Sequence, residues 1–412
     1  MHPGKPKTLK RNNRKAILNL LRNSGEMAVA DISGIAGLSK TTVMKIVDYY
    51  VGQNIILQAG KGDSTNEGGK KPELFKFNEG YRYVFAVHIF PDEVFAALVD
   101  LKIHVVAEKS VKNREDERIE TIVQQIASLA GDLMRSKGIT GEQIAAAAVG
   151  AHGITNYSEG VVLTSPHFPS WGDNIPLKGM LQAALGLQVP LYVDNQIRFQ
   201  VFAEKTFGAG VDRGNIIVIE GGEGLVAGII MNNEIKRGVH YLAGEIGHMI
   251  INPEAEELCG CGGRGCFEVM VSTARMLEKA KQLEPAYPES QIFAGIKSDR
   301  VLMDSIFAAS NKGDVLACSL MDEAIKWFTI GISNIILMYD PDIVIIQGVY
   351  AAAGAYFMEN LRNGVNTCCL THIKKNVEIQ YSNLGRERGI LGAAAFAVSE
   401  FFNEKDLYES RV

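Results

Sequence analysis

The sequence predicts an α/β protein in two parts, a small basic head rich in helix and a larger acidic body built of two similar halves. Three observations carry this. The chain has 412 residues, more than one hydrophobic core usually serves, so two or three domains are expected. Its charge changes along its length: residues 1–80 hold thirteen Lys and Arg against seven Asp and Glu, whereas the whole chain sums to −5, which leaves −11 on residues 81–412. From Tyr81 onward, strand meanders alternate with helices and the arrangement is given twice, which argues for two halves with a cleft between them.

Composition narrows the function classes. An apolar share of 47% with 22% charged residues describes an ordinary globular chain, and no apolar run reaches the length of about 18 residues that a membrane span needs. The opening "MHPGKPKTLKRNNRK" is basic without an apolar core, so it does not read as a secretory signal. Three of the six cysteines fall within eight positions, the pattern of a metal cluster in a reducing cytoplasm rather than a disulfide framework. A basic head on an acidic body suggests that the head meets a polyanion.

The head spans residues 1–80. In "NNRKAILNLLRNSGE", Ile17, Leu20 and Leu21 give a one-sided helix that stops at Asn23-Ser24-Gly25. "VADISGIAG" predicts a short second helix with Ile32, Ile35 and Ala36 facing inward. Gly37 supplies a tight turn and Ser39 caps a third helix, where Val43, Ile46, Val47 and Tyr50 form the buried stripe. Lys40, Thr41, Thr42 and Lys45 remain on the open side. Two helices about a glycine turn, the second opening on small polar and basic groups, are the helix-turn-helix pattern that reads double-stranded DNA. The apolar stretches "NIILQ" and "ELFKFN" around a polar loop predict a wing, with Lys70 and Lys71 against the sugar-phosphate chain. A three-helix module that packs on protein is the competing reading; periodicity, turn, cap, charge and wing together favour DNA.

In the body, "LYVDNQIRFQVFAEKTFG" runs from a strand into helical spacing at Phe199, with Asp194, Asn195 and Gln196 at the junction. Ligands of open α/β sheets bind beyond the carboxyl ends of strands, so this junction is a place for chemistry. Only Asp194 of the three could accept a proton. Further on, "GEIGHMIINPEAEELCGCGGRGCFE" sets His248 before Cys259, Cys261 and Cys266. Three thiolates and an imidazole make a closed tetrahedral zinc set, structural rather than catalytic, and Gly260, Gly262, Gly263 and Gly265 let the chain wrap the ion. An unmetallated glycine turn with incidental thiols is the alternative. Glu245 and Glu268 flank the loop, and two carboxylates beside a zinc-bound imidazole suit the vicinal hydroxyls of a sugar. The other reading pairs both carboxylates with Arg264 or Lys236.

The segments "AGEIGHM…CGCGGRGCFE", "VDNQIRFQVFAEKTFG", "VFAALVDL" and "GILGAAA" together resemble the ROK family (repressors, open reading frames, kinases) over essentially all of 81–412. The resemblance implies a two-lobed actin-like or hexokinase-like ATPase fold and oligomers built of dimers. The head resembles that of the family's xylose and N-acetylglucosamine repressors and is absent from its sugar kinases. Carried over by motif, the sugar ligands are Asn195, Glu245, His248 and Glu268, with His167 at a position near the sugar. The metal ligands are His248, Cys259, Cys261 and Cys266.

The departures from the family pattern are informative. Gln196 stands where the kinases have the aspartate that takes the proton of the sugar hydroxyl. "HIFPD", residues 88–92, replaces their first phosphate loop, and Glu223 stands for a small hydroxyl residue in the second. The expectation is a protein of the cytoplasm that is no enzyme and binds no ATP. It would be a repressor, dimeric or tetrameric, with operator DNA and a sugar or sugar derivative as partners. The alternatives are a ROK sugar kinase bearing a DNA-binding domain, and a repressor controlled by a sugar-transport protein.

Overall fold

The computed structural model describes residues 6–62, 71–114, 116–166, 168–294, 302–368, 370, 376–404 and 407–408. Lys70 and His167 lie outside them.

The head consists of α1 (Pro6–Asn23), β1 (Met27–Ala28), α2 (Val29–Ala36), α3 (Lys40–Val51), β2 (Ile56–Lys61) and β3 (Glu73–Phe77), its strands antiparallel in the order β1-β3-β2. The helical periodicity holds: Ile17, Leu18 and Leu21 of α1 meet Val43, Ile46, Val47 and Tyr50 of α3 in one apolar core. Gly37 ends α2 in the left-handed conformation at φ +64°, which a side chain resists. One expectation fails. Ile35 is 66% exposed, because α2 stops at Ala36 and Leu38, beyond the turn, packs on the core in its stead.

The first lobe comprises β4 (Tyr83–Ile89), β5 (Glu93–Asp100), β6 (Val105–Lys112), α4 (Ile119–Lys137), β7 (Ile144–Ala151), the ribbon β8 (Ile154–Asn156) and β9 (Val161–Thr164), α5 (Leu177–Leu185) and β10 (Leu191–Asn195). After α6 (Gln196–Phe207) the second lobe follows with β11 (Ile216–Gly221), β12 (Leu225–Met231), β13 (Glu234–Ile235), α7 (Phe267–Val271), α8 (Thr273–Leu283), α9 (Met303–Ser310), α10 (Val315–Tyr339), β14 (Ile343–Gly348), α11 (Gly354–Thr367) and β15 (Glu378–Tyr381). The last helix, α12 (Arg388–Asn403), returns to the first lobe. The sheets run β10-β7-β4-β5-β6 and β13-β12-β11-β14-β15. In each, an antiparallel three-strand meander is followed by two parallel strands added beside its first strand. No helix among the described residues is long and apolar enough to cross a membrane.

Two helices tie the parts together. Gly392 of α12 lies so close to α6 that a Cβ there would overlap the Phe199 carbonyl oxygen, and Gly228 of β12 meets the Ile197 carbonyl in the same way. From α6, α12 runs to the head, where Phe402 packs 5.9 Å from Phe77 and under the Arg22 guanidinium. Just beyond it, the Tyr408 carbonyl accepts from the buried Arg14 at 3.0 Å. The head's core is thus continuous with α12. A cavity of about 610 Å³ remains between them, lined by Tyr49, Gln53, Tyr81, Arg82, Phe401 and Glu404 among others.

Candidate ligand and metal sites

The junction after β10 is helical from Gln196, three residues earlier than the spacing predicts, because Asn195 caps α6. Its Oδ1 accepts from Ile197 N–H at 3.0 Å, and its Nδ2 donates to the Gly153 carbonyl at 2.9 Å. Asp194, the residue able to take a proton, is fully buried and committed. Its Oδ1 accepts from Arg198 at 2.6 Å and its Oδ2 from Arg237 at 2.8 Å. Arg198 also donates to the carbonyls of Thr155 and Tyr241, and Arg237 lies 3.8 Å above the Tyr157 ring. One carboxylate therefore locks α6 to β8 and to the segment after β13. That is a positioning role, for a buried carboxylate held by two guanidiniums.

Gln196 is held between two imidazoles. Its Oε1 accepts from His88 Nε2, and its Nε2 donates to His152 Nδ1 at 3.3 Å. Gln200 continues the chain to Gln347 at the end of β14, so the amides cross from one lobe to the other. Burial pushes the His88 imidazole down to about 4, and the nearby Arg388 and Arg386 guanidiniums add to this against the Gln196 bond, so His88 is neutral at pH 7. His88 stacks on Phe90 at 3.8 Å between ring centroids, and the Arg386 guanidinium lies 4.7 Å from the Phe90 ring centre while pairing with Asp92 and Glu93 at 3.0 Å. The turn between β4 and β5 is filled with side chains.

The cysteine loop closes as its spacing predicts. One ligand atom each from His248, Cys259, Cys261 and Cys266 lies within 4.8 Å of all the others. Cys261 and Cys266 sulfurs are 3.7 Å apart, as are Cys259 Sγ and His248 Nδ1. A tetrahedron with metal–sulfur bonds of about 2.3 Å has edges near 3.7 Å, so the donor set fits zinc in size and chemistry. Gly265, at φ +65°, is required here, since a Cβ would overlap the Asn252 carbonyl; Gly260 faces open space and is not. Burial and the neighbouring thiols push Cys266 up to about 12.

With Nδ1 turned to the sulfurs, His248 keeps Nε2 for another partner. Glu268 joins the loop to the second sheet, its Oε2 accepting from Leu225 N–H at 3.0 Å. Burial raises the Glu245 carboxyl above its usual range, opposed by His248 and Arg198 and reinforced by Glu268. Lys236 pairs with Glu234 and Arg264 donates to the Glu256 carbonyl, so these two cations do not claim Glu245 or Glu268. In the head, Ser39 Oγ accepts from Thr42 N–H at 3.2 Å and meets the Thr42 hydroxyl at 2.9 Å, and Lys40, Thr41, Lys45 and Lys71 are exposed.

The ROK family model matches residues 84–400. The chain belongs to the ROK family. Over nearly its whole length it is similar to a putative xylose repressor of a Caldicellulosiruptor species, 26% identical over 95% of this chain and 96% of the relative. The xylose repressor of Bacillus subtilis is 24% identical over 96% and 97%. A crystal structure of a ROK family transcriptional regulator, a homologue of the E. coli MLC protein, superposes with a TM-score of 0.79 at 21% identity, covering 96% of this chain and 97% of that one. A ROK family glucokinase from Streptomyces griseus, in complex with glucose and AMPPNP, covers 77% of this chain and 99% of its own at 27% identity and a TM-score of 0.63.

Sequence reasoning missed the partners of the junction. Arg198 stands one helical turn after Asp194, a spacing that signals a pair. Arg237 lies 43 residues from Asp194 and His88 108 residues from Gln196, and no local pattern joins such positions.

Proposed function

We propose that this chain is a sugar-responsive repressor of transcription that holds its effector in the cleft and does not phosphorylate it. The observation that carries the reading is the match to xylose repressors along the whole chain, head included. In this reading residues 1–80 are a winged helix-turn-helix. Ser39, Lys40, Thr41, Thr42 and Lys45 address the major groove, and Lys70 and Lys71 the backbone of an operator bound by a homodimer or homotetramer in the cytoplasm. Residues 81–412 sense the sugar through Asn195, Gln196, Glu245, His248 and Glu268, with His167 beside them.

His248, Cys259, Cys261 and Cys266 would hold a structural zinc. Bound there, the ion supplies folding energy and fixes the His248 ring, with no coordination position left for a substrate. The amide of Gln196, held between His152 and a neutral His88, supports the loss of phosphoryl transfer, since a positioned base contributes about 10²–10⁴-fold and an amide cannot serve as one. Filling of the β4–β5 turn by Phe90 and the Arg386 pairs supports it further.

The route from cleft to head is α12, packed on α6 at one end and on Phe77, Arg22 and Arg14 at the other. Effector binding that shifts α6 moves α12 and with it the spacing of two heads. Mobility shifts of the DNA upstream of its gene, with and without candidate sugars, test this. An effector changes operator affinity by roughly 5–150-fold, and no response to any carbohydrate ends the reading. Sustained ADP release with a sugar and ATP ends the non-kinase half alone.

A further inference from the structure

We propose that the cavity of about 610 Å³ between head and body is a second small-molecule site, shaped for an aromatic monocarboxylate. This goes beyond the reading of the cleft, and none of the residues around the cavity belongs to the set assigned there. Its volume lies within the roughly 300–1,000 Å³ of ligand pockets, which favour boundaries between domains. Four separate parts of the chain wall it. The head gives Ile55, the connection to the body gives Tyr81 and Arg82, the body gives Ile144 of β7 and Val189 before β10, and α12 gives Phe401.

The aromatic walls are held in place. The Arg14 guanidinium lies 3.5 Å above the Tyr49 ring, and Phe401 meets Phe402 edge-on at 5.2 Å. The Asn78 side chain donates to the Asn54 carbonyl at 2.8 Å and its backbone N–H to the Ile55 carbonyl at 2.9 Å, which ties the Tyr81 side to the end of α3. Among these rings stands one cation. Arg82 is half-buried and makes no ion pair among the described residues, and its guanidinium lies 5.7 Å from the Tyr81 ring. Such a guanidinium receives a carboxylate through two parallel N–H donors, while the walls take the ligand's own ring. Glu404 is exposed and is the one carboxylate among the described lining residues; it repels a second negative charge, so the occupant carries one. An occupant touches the head, the connection and α12 together. With the head read as the DNA-binding part, filling the cavity fixes the head on the body and alters operator affinity by a route separate from the cleft.

Calorimetric titration of the full-length protein tests this with benzoate, phenylacetate and cinnamate, each beside its uncharged amide. The expected result is at least one acid bound once per chain and about tenfold or more tightly than its amide, the worth of a charge-assisted hydrogen bond. Arg82→Gln, checked for folding by its thermal midpoint, should remove that advantage. Gln53→Glu, at an exposed position of the lining, adds a carboxylate and should weaken the acid roughly threefold while sparing the amide; it serves should the first variant fold poorly. No acid bound at millimolar concentration, an amide bound as tightly as its acid, or affinities unmoved in both variants overturns the site and leaves the cleft reading standing. In mobility shifts the bound acid should change operator affinity by roughly 5-fold or more. An unchanged affinity overturns the coupling to the head.

Discussion

The two lobes share one strand order, yet the hairpins that join their first and second strands differ in every physical respect. In the first lobe the β4–β5 turn is packed. Phe90 packs against both His88 and Arg386, and Asn113 fixes the turn by donating to the Phe90 carbonyl at 3.0 Å. In the second lobe the β11–β12 turn is Gly222-Glu223-Gly224, with Glu223 exposed and Glu268 reaching Leu225 just beyond it. One sheet is finished by its own side chains and the other by a loop that gathers one histidine and three cysteines. Topology sets where a site can form, and the residues at the strand ends decide what it does.

The largest expected effect breaks the second lobe. Cys266→Ser should take bound zinc, read by elemental analysis, from one ion per chain to none. It forfeits most of the roughly 10–16 kcal/mol of apparent binding energy typical of such sites, so the thermal midpoint should collapse. A variant that stays folded with full stability would show the loop closes without the ion.

Next is the lock between the lobes. Asp194→Asn leaves Arg198, only 2% exposed, without its ion-pair partner. Breaking a buried pair in this way costs about 3–5 kcal/mol, measurable by urea unfolding. A loss below about 1 kcal/mol would mean that solvent reaches Arg198.

The first lobe can be separated by pH. The folded His88 imidazole titrates at about 4, below its ordinary 6.5, so as pH falls the unfolded chain takes the proton first. The stability tied to it is full above pH 6.5 and drains away between there and about 4. From pH 7 to 5 this amounts to about 2 kcal/mol. His88→Gln should flatten the pH dependence by that amount, and an unchanged slope would assign the acid sensitivity to other groups.

The smallest contrast compares the hairpins directly. Phe90→Ala removes a half-buried ring and should cost about 2 kcal/mol, whereas Glu223→Ala should stay within about 0.5 kcal/mol. Equal costs would erase the difference drawn between the turns.

How much was legible depended on how local the signal was. The stripes of α1 and α3, the Gly37 turn, the Ser39 cap and the Cys259–Cys266 spacing are short-range patterns, and the structure repeats them. Ile35 failed because the end of a two-turn helix is set by its packing partner rather than by periodicity. Asp194 was visible as an acid at a strand end, but its commitment to Arg198 and Arg237 was not. Gln196 was visible as a departure from the family pattern, but its bonds to His88 and His152 were not.

By itself the sequence determined the elements, the basic head, the His-Cys cluster and the family, because each is written in residue spacing or composition along the chain. The tertiary structure alone decided which groups near the cleft are spent and which remain to meet a ligand. Whether an arginine or an aspartate is available depends on its counter-charge, and folding brings that partner from dozens of residues away.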